Sequence, residues 1–360
     1  MRSVEIKYGF PIFSRDKSTA YLVKNGNVYV SDIWSFWDYI IKVQGKKENV
    51  KQNQRTNFLR TLLEQAHYFY ISAEQAPFKA KPLLYYYAFM NIAKVIINID
   101  SYVGTTKDYY HGIECHWKDV EKLSDAEIQL KSFNRPPSTK LSISYQFMKI
   151  VGTINAGQQW PWTCKVLSEL FSSCVGIHRA YAEIGNQKET FFRLDNIELN
   201  KEGKRLIFRA EIHDCFNENV LMLRNRYGNN ITEIKDNTGS LTGKYSWTEE
   251  ITMKSNSPTR SDYYELSELL KDKGIWYLWK SKETIAYISP NAILQSPESI
   301  IYNIMFFLGS IARYQPYKFE ELLSDREHWM IGEFLQTQPK QFLYLVTSKI
   351  IGTGILTPEL

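Results

Sequence analysis

The stretch from Lys81 to Asp100, KPLLYYYAFMNIAKVIINID, is apolar on nearly every side. A helix of that kind has to be enclosed by other elements. One narrow stripe is different: Tyr87, Asn91, Lys94 and Asn98 follow each other at intervals of four, three and four residues, which lines them up along one side of a 3.6-period helix. A second stretch far along the chain repeats the pattern. Ser296 is placed to cap a helix, with Pro297 in its first turn and Glu298 near its positive end, followed by SIIYNIMFFLGSIARY. There Ser299, Asn303, Ser310 and Arg313 form a stripe among Ile300, Ile304, Phe307, Leu308 and Ile311. Packed directly together, the two helices would bury each other's apolar surface and face a polar groove. An unpaired buried charge costs several kcal/mol, a large part of a domain's stability. Lys94 and Arg313 therefore reach water with their tips, join a structural ion pair, or line a groove with Asn91, His111 and Asn303 that receives a phosphate or carboxylate.

The rest of the chain divides by texture. Around the Asn25-Gly26 turn, AYLVKNGNVYVSD reads as a hairpin. From Arg55 to Ala73 the apolar residues Phe58, Leu59, Leu62, Leu63, Ala66, Phe69 and Tyr70 keep helical spacing. Residues 101–140 read as a polar excursion. LSISYQFMKIV fits a helix or a strand, and TCKVLSELFSSC fits a helix. From about residue 190, TFFRLDNIELN, GKRLIFRAEI, GKYSWTEEITMK and GIWYLWKSKETIAYISP read as strands. After Pro316 a short helix is expected over SDREHWMIGEFL and another over QPKQFLYLVTSKII. The class implied is α+β. Residues 1–189, opening on a small β element, and 291–360 would build a helical core, and 190–290 would form a mainly antiparallel β-rich insert.

Among 360 residues, 44 Lys and Arg oppose 39 Asp and Glu. That balance is too mild for a protein that coats DNA but allows a local anionic partner. Four dispersed cysteines and a start without an apolar signal core point to the cytosol. The longest apolar runs are interrupted by Asn, Lys or Ser and fall short of a span of ~20 residues, so no membrane segment is expected. The chain lacks the glycine-rich phosphate loops and the nucleophile elbow of common nucleotide enzymes and hydrolases, and no cofactor is expected. In HGIECH, His111, Cys115 and His116 have the right atoms for zinc. No nearby Cys-x-x-Cys completes the set, so no metal is expected. Lys42, Lys46, Lys47, Lys51 and Arg55 form a basic run beside IWSFWDYI. It is either a solvated face or a patch that holds nucleic acid by phosphate contacts and stacking.

SAEQAPFKAKPLLYYYAFMNIAK (Ser72 to Lys94), the pair His111-Gly112 and NIMFFLGSIARYQP (Asn303 to Pro316) resemble, in that order, the YaaC-like family of bacterial proteins. The tyrosine-rich helix followed by His-Gly is more loosely similar to HEPN domains, helical bundles found in RNA-cutting toxins and phage-defence proteins. Their nuclease members carry Arg, four to six residues, then His. Here Arg60 and His67 enclose TLLEQA, and the resemblance implies that Arg60 would hold a phosphate while His67 moves a proton. After Arg313 the equivalent positions hold Lys318, Phe319 and Glu320. The expectation is a cytosolic YaaC-like protein that binds or processes RNA in stress or phage defence. The rival expectation is a non-catalytic protein that docks a partner through the aromatic IWYLWK of its insert.

Overall fold

The structure, a computed structural model, describes residues 2–4, 28–44, 50–100, 109–117, 125–130, 141–151, 165–213, 215, 217–324 and 326–358. The chain opens with two short strands, β1 (Arg2–Val4) and β2 (Val28–Tyr29), and three helices, α1 (Ile33–Gln44), α2 (Val50–Gln75) and α3 (Lys81–Asp100). Short strands β3 (Tyr109–Tyr110), β4 (Ile113–His116), β5 (Glu127–Leu130) and β6 (Leu141–Ser142) lead to α4 (Ile143–Ile150). Strand β7 (Lys165–Val166) runs into α5 (Leu167–Ser172), followed by α6 (His178–Ile184). Then come β8 (Phe192–Glu202), β9 (Arg205–Ile212), α7 (Asn217–Tyr227), β10 (Ile231–Lys235) and β11 (Leu241–Thr252). Next are α8 (Arg260–Lys273), β12 (Ile275–Trp279) and β13 (Thr284–Ile288). Helices α9 (Pro297–Tyr314), α10 (Pro316–Ser324) and α11 (Glu327–Ile351) precede a last strand, β14 (Ile355–Leu356). The class is α+β.

Two compact units emerge, a helical one of Ser31–Gln187 and Gln295–Leu343, and a sheet unit of Met1–Val30, Lys188–Leu294 and Tyr344–Leu360. In the helical unit α3 packs against α2, α4 and α9, so the two apolar helices do meet. Phe89 of α3 stacks on Phe342 of α11 with ring centroids 3.9 Å apart. Gly309 of α9 marks the closest approach: a Cβ there would lie 3.1 Å from the Tyr86 Cβ and 3.2 Å from the Pro82 carbonyl oxygen. The segment Phe78–Ile99 is the one stretch among the described residues long and apolar enough to cross a membrane, and 72% of its most apolar window is buried inside the protein.

α11 corrects the reading of two helices. Pro339 lies inside one continuous helix. An interior proline costs ~3 kcal/mol, but Phe334, Leu335, Phe342 and Leu343 are all buried on either side of it, each contributing ~1.5–3 kcal/mol. The apolar face outweighs the lost hydrogen bond. Likewise TCKVLSELFSSC divides into strand β7 and helix α5. LSISYQFMKIV becomes α4, with Ser142 as its cap. The hairpin expected at Asn25-Gly26 lies outside the described residues, and Val28 and Tyr29 pair in parallel with Ile355 and Leu356.

In the sheet unit the strand order is β10-β11-β9-β8-β13-β12, with β1 also on β8, and every pairing is antiparallel. Two helices inside it were not foreseen, although α8 carries a legible signature. Thr259 and Asp262 form a capping box, and Gly274 ends the helix at φ 81°. Helix α8 packs on β11 and β12. The aromatic residues of β12 were expected to meet a partner, but Trp276, Tyr277 and Trp279 are all buried. Trp279 stacks on Tyr344 at 4.0 Å and donates to the Ile355 carbonyl at 2.7 Å. Trp276 lies under the Arg226 guanidinium at 5.0 Å. These rings are core.

Candidate functional site

In the helical unit a cavity of about 300 Å³ opens between α3, α9 and the chain around β4. Tyr86 and Tyr87 line it from α3, Ser310, Arg313 and Tyr314 from α9, and His111, Glu114, Cys115 and Trp117 from the intervening segment. The helical stripe of α3 brings Tyr87 to this wall, and the Arg313 Nη1 donates to the Tyr87 hydroxyl at 2.7 Å. The guanidinium also lies over the Tyr314 ring at 5.0 Å. Both of these partners of Arg313 are phenol side chains, not carboxylates.

His111 is held at both ends. Its carbonyl accepts from the Ser144 amide at 3.1 Å and from the Ser144 hydroxyl at 2.7 Å. Its ring Nδ1 hydrogen-bonds the Tyr86 hydroxyl, and Gly112, at φ 72°, gives the turn its left-handed backbone. Burial lowers the His111 pKa, and the positive charges of Lys94 and Arg313 lower it further. The ring is therefore neutral at pH 7. The Tyr86 phenol is pushed well above its usual range by burial and by Tyr302 and Tyr87. The Cys115 thiol is also pushed up by burial, despite a hydrogen bond with Ser310. Neither is an activated nucleophile at neutral pH.

Lys94, the charge that made α3 unusual, is half-buried, and burial lowers its pKa. Its ammonium sits 5.8 Å from the centroid of the Tyr109 ring. Lys94 does not line the cavity, but its charge acts on His111. Of the five expected groove residues, His111 and Arg313 come together at one opening, with Lys94 behind them. Asn91 and Asn303 are instead buried away from the cavity, Asn303 donating to the Gln295 side chain at 3.4 Å. Tyr86, Ser310 and Trp117 were missed. Ser310 stands in the α9 stripe and was legible there, but Tyr86 reads in sequence as one more apolar ring.

Arg60 and His67 lie elsewhere and do not line this cavity. Arg60 Nε pairs with Asp38 of α1 at 3.0 Å. His67 stacks on Trp34 of α1 with centroids 4.5 Å apart. Both side chains are engaged across the α1 and α2 contact.

The basic run is also absorbed in part. Lys42 pairs with Asp38. Burial would raise the Asp38 pKa, but Lys42 and Arg60 together hold it below its usual value. Arg55 donates from Nη2 to the carbonyls of Asn98 and Ile99, at 2.7 and 2.8 Å. It caps the C-terminal end of α3, where carbonyls lack helical partners and the dipole favours a cation. Lys46 and Lys47 lie outside the described residues, and Lys51 is described only as part of α2. Among the described residues no group of three or more His, Cys, Asp or Glu side chains is arranged to hold a metal ion.

No curated protein and no solved structure matches this chain. A match to the family described as YaaC-like Protein runs from residue 24 to residue 350. It takes in α3, His111 and α9, and with it the whole lining of the cavity. The chain belongs to the YaaC-like protein family.

Proposed function

We propose that this YaaC-like protein is an RNA-binding protein of the cytosol, acting in stress or phage defence, and that it recognises phosphate through the cavity of its helical unit. The observation that carries this reading is the meeting of Arg313 and His111 at one opening, with the charge of Lys94 acting on the same imidazole. A guanidinium whose partners are a phenol and a ring face keeps N–H groups for a forked contact with phosphate oxygens. Glu114 brings one carboxylate to the same lining as the Arg313 guanidinium. With Tyr86 and Cys115 both protonated, the site supports recognition better than covalent chemistry. An HEPN-like cut at Arg60 and His67 would first have to free Arg60 from Asp38 and His67 from Trp34.

Fluorescence anisotropy with a labelled, phosphorylated single-stranded RNA tests the reading. The parent should bind, and Arg313→Ala should weaken binding by about tenfold or more, the loss of one charge-assisted, forked contact to phosphate. Arg60→Ala should leave affinity unchanged. Equal affinity for Arg313→Ala and the parent, or a loss confined to Arg60→Ala, would move the site off this cavity.

A further inference from the structure

We infer that the group seated in the cavity is a terminal phosphomonoester carried on a single nucleoside, either free or at the end of an RNA strand, and not an internal stretch of chain. This rests on the reading just proposed and narrows it.

Three observations point the same way. The first is size: about 300 Å³ stands at the lower end of ligand pockets, which run from ~300 to 1,000 Å³. That is room for one ring system and one acidic group. A strand running through would need a longer groove.

The second is the division of the lining. One part is flat and aromatic, with Tyr87, Trp117, Phe306 and Tyr314. Trp117 is fixed edge-on to Phe307, centroids 6.2 Å apart, and its carbonyl accepts from Lys318 at 3.0 Å. Rings held in place stack a base at little entropic cost, and base stacking on aromatics is worth ~1–3 kcal/mol. The other part is polar. Arg313 offers its fork, and the hydrogen bond between the Tyr86 hydroxyl and Nδ1 leaves Nε2 of His111 for a ligand.

The third is charge. A phosphomonoester carries about −1.5 to −2 at pH 7, whereas an internal phosphodiester carries a single charge. The guanidinium of Arg313 lines the cavity and the charge of Lys94 acts on His111 in its wall, so Coulomb attraction holds the more highly charged monoester more strongly than a diester.

Calorimetric titration of the full chain tests this. The probes are adenosine 5′-monophosphate, adenosine, inorganic phosphate, and one short RNA with a 5′-phosphate, a 3′-phosphate or hydroxyl ends. The expected result is that the monophosphate, a phosphorylated RNA, or both bind at least about tenfold tighter than adenosine, inorganic phosphate and the hydroxyl-ended RNA. A preference for the free monophosphate identifies the ligand as a nucleotide, and a preference for one phosphorylated RNA identifies the strand end. Arg313→Ala should abolish the preference. Tyr87→Phe, which removes only the hydroxyl that holds the guanidinium, should reduce it while the thermal transition stays at the parent value, covering the case in which Arg313→Ala folds poorly. Equal binding of hydroxyl-ended and phosphorylated RNA, with sensitivity to Arg313→Ala, overturns this inference and leaves the wider RNA reading standing. Inorganic phosphate binding as tightly as the monophosphate overturns the nucleoside part. Absence of binding by every probe overturns both.

Discussion

Two aromatic-rich stretches, YYY in α3 and IWYLW in β12, look alike in sequence and end in opposite situations. In α3, Tyr86 and Tyr87 border an open cavity. In β12, Trp276, Tyr277 and Trp279 are sealed in the core of the sheet unit, although β12 is the terminal strand of its sheet. The cause is geometric. A helix presents its whole circumference, so one stripe can border a cavity while the rest packs. A strand presents two faces, and here both are covered: α8 packs on β12, and Tyr344 stacks on Trp279. Aromatic density therefore reports burial or recognition only once the covering elements are known.

The largest expected effect tests the sealed half of the comparison. Trp279→Ala removes a stacked pair and an N–H bond to the Ile355 carbonyl. Truncating a core tryptophan costs ~3–5 kcal/mol, and the orphaned carbonyl adds to it. Urea denaturation should show the midpoint falling accordingly. A change below ~1 kcal/mol, the range of exposed positions, would mean that β12 is not core, and the partner-docking role would return.

A smaller effect tests the open half. Replacing a helical glycine by a larger residue removes a propensity penalty of ~0.5–1 kcal/mol. At Gly309 this gain meets a backbone oxygen 3.2 Å from where a Cβ would sit. Overpacking costs ~1–3 kcal/mol, so Gly309→Val should be destabilising on balance and, since Gly309 lines the cavity, should also narrow it. Phosphorylated RNA should then bind more weakly than stability alone explains. Full binding by Gly309→Val would show that the ligand does not enter between α3 and α9.

What was legible follows the same division. Helices α3 and α9 could be read because an all-round apolar helix needs a partner and because Ser296 and Pro297 mark a start. The engagement of Lys42 was legible too, since Asp38 stands four residues before it on α1. That of Arg55 was not: the carbonyls it caps lie 43 and 44 residues away, and no local pattern encodes them. Pro339 misled because its penalty is local while the packing that outweighs it is tertiary. Arg313 was read from its place in the α9 stripe and His111 from the His-Gly pair after α3. Tyr86 was missed because its role depends on a contact with His111, 25 residues on.

The smallest effect sharpens the electrostatics of the open half. Burial first, then Lys94 and Arg313, lower the His111 pKa from 6.5. For a base with a lowered folded pKa the sign is fixed. Above pH 6.5 the ring is neutral in both states, and its titration adds nothing to pH dependence. As the pH falls below 6.5 the unfolded chain takes up a proton that the folded chain refuses, so stability declines until the folded pKa is reached. The ring is partly exposed at the cavity mouth, where solvent screening keeps this contribution small. The direct measurement is an NMR titration of the imidazole. Arg313→Ala removes one of the two charges, so His111 should titrate higher than in the parent and still below 6.5, because burial remains. A bound phosphomonoester should move it upward further in the parent, since an anion beside the ring favours its charged form. A titration unmoved by both changes would detach His111 from Arg313 and from the ligand, and the polar half of the cavity would be reduced to Arg313.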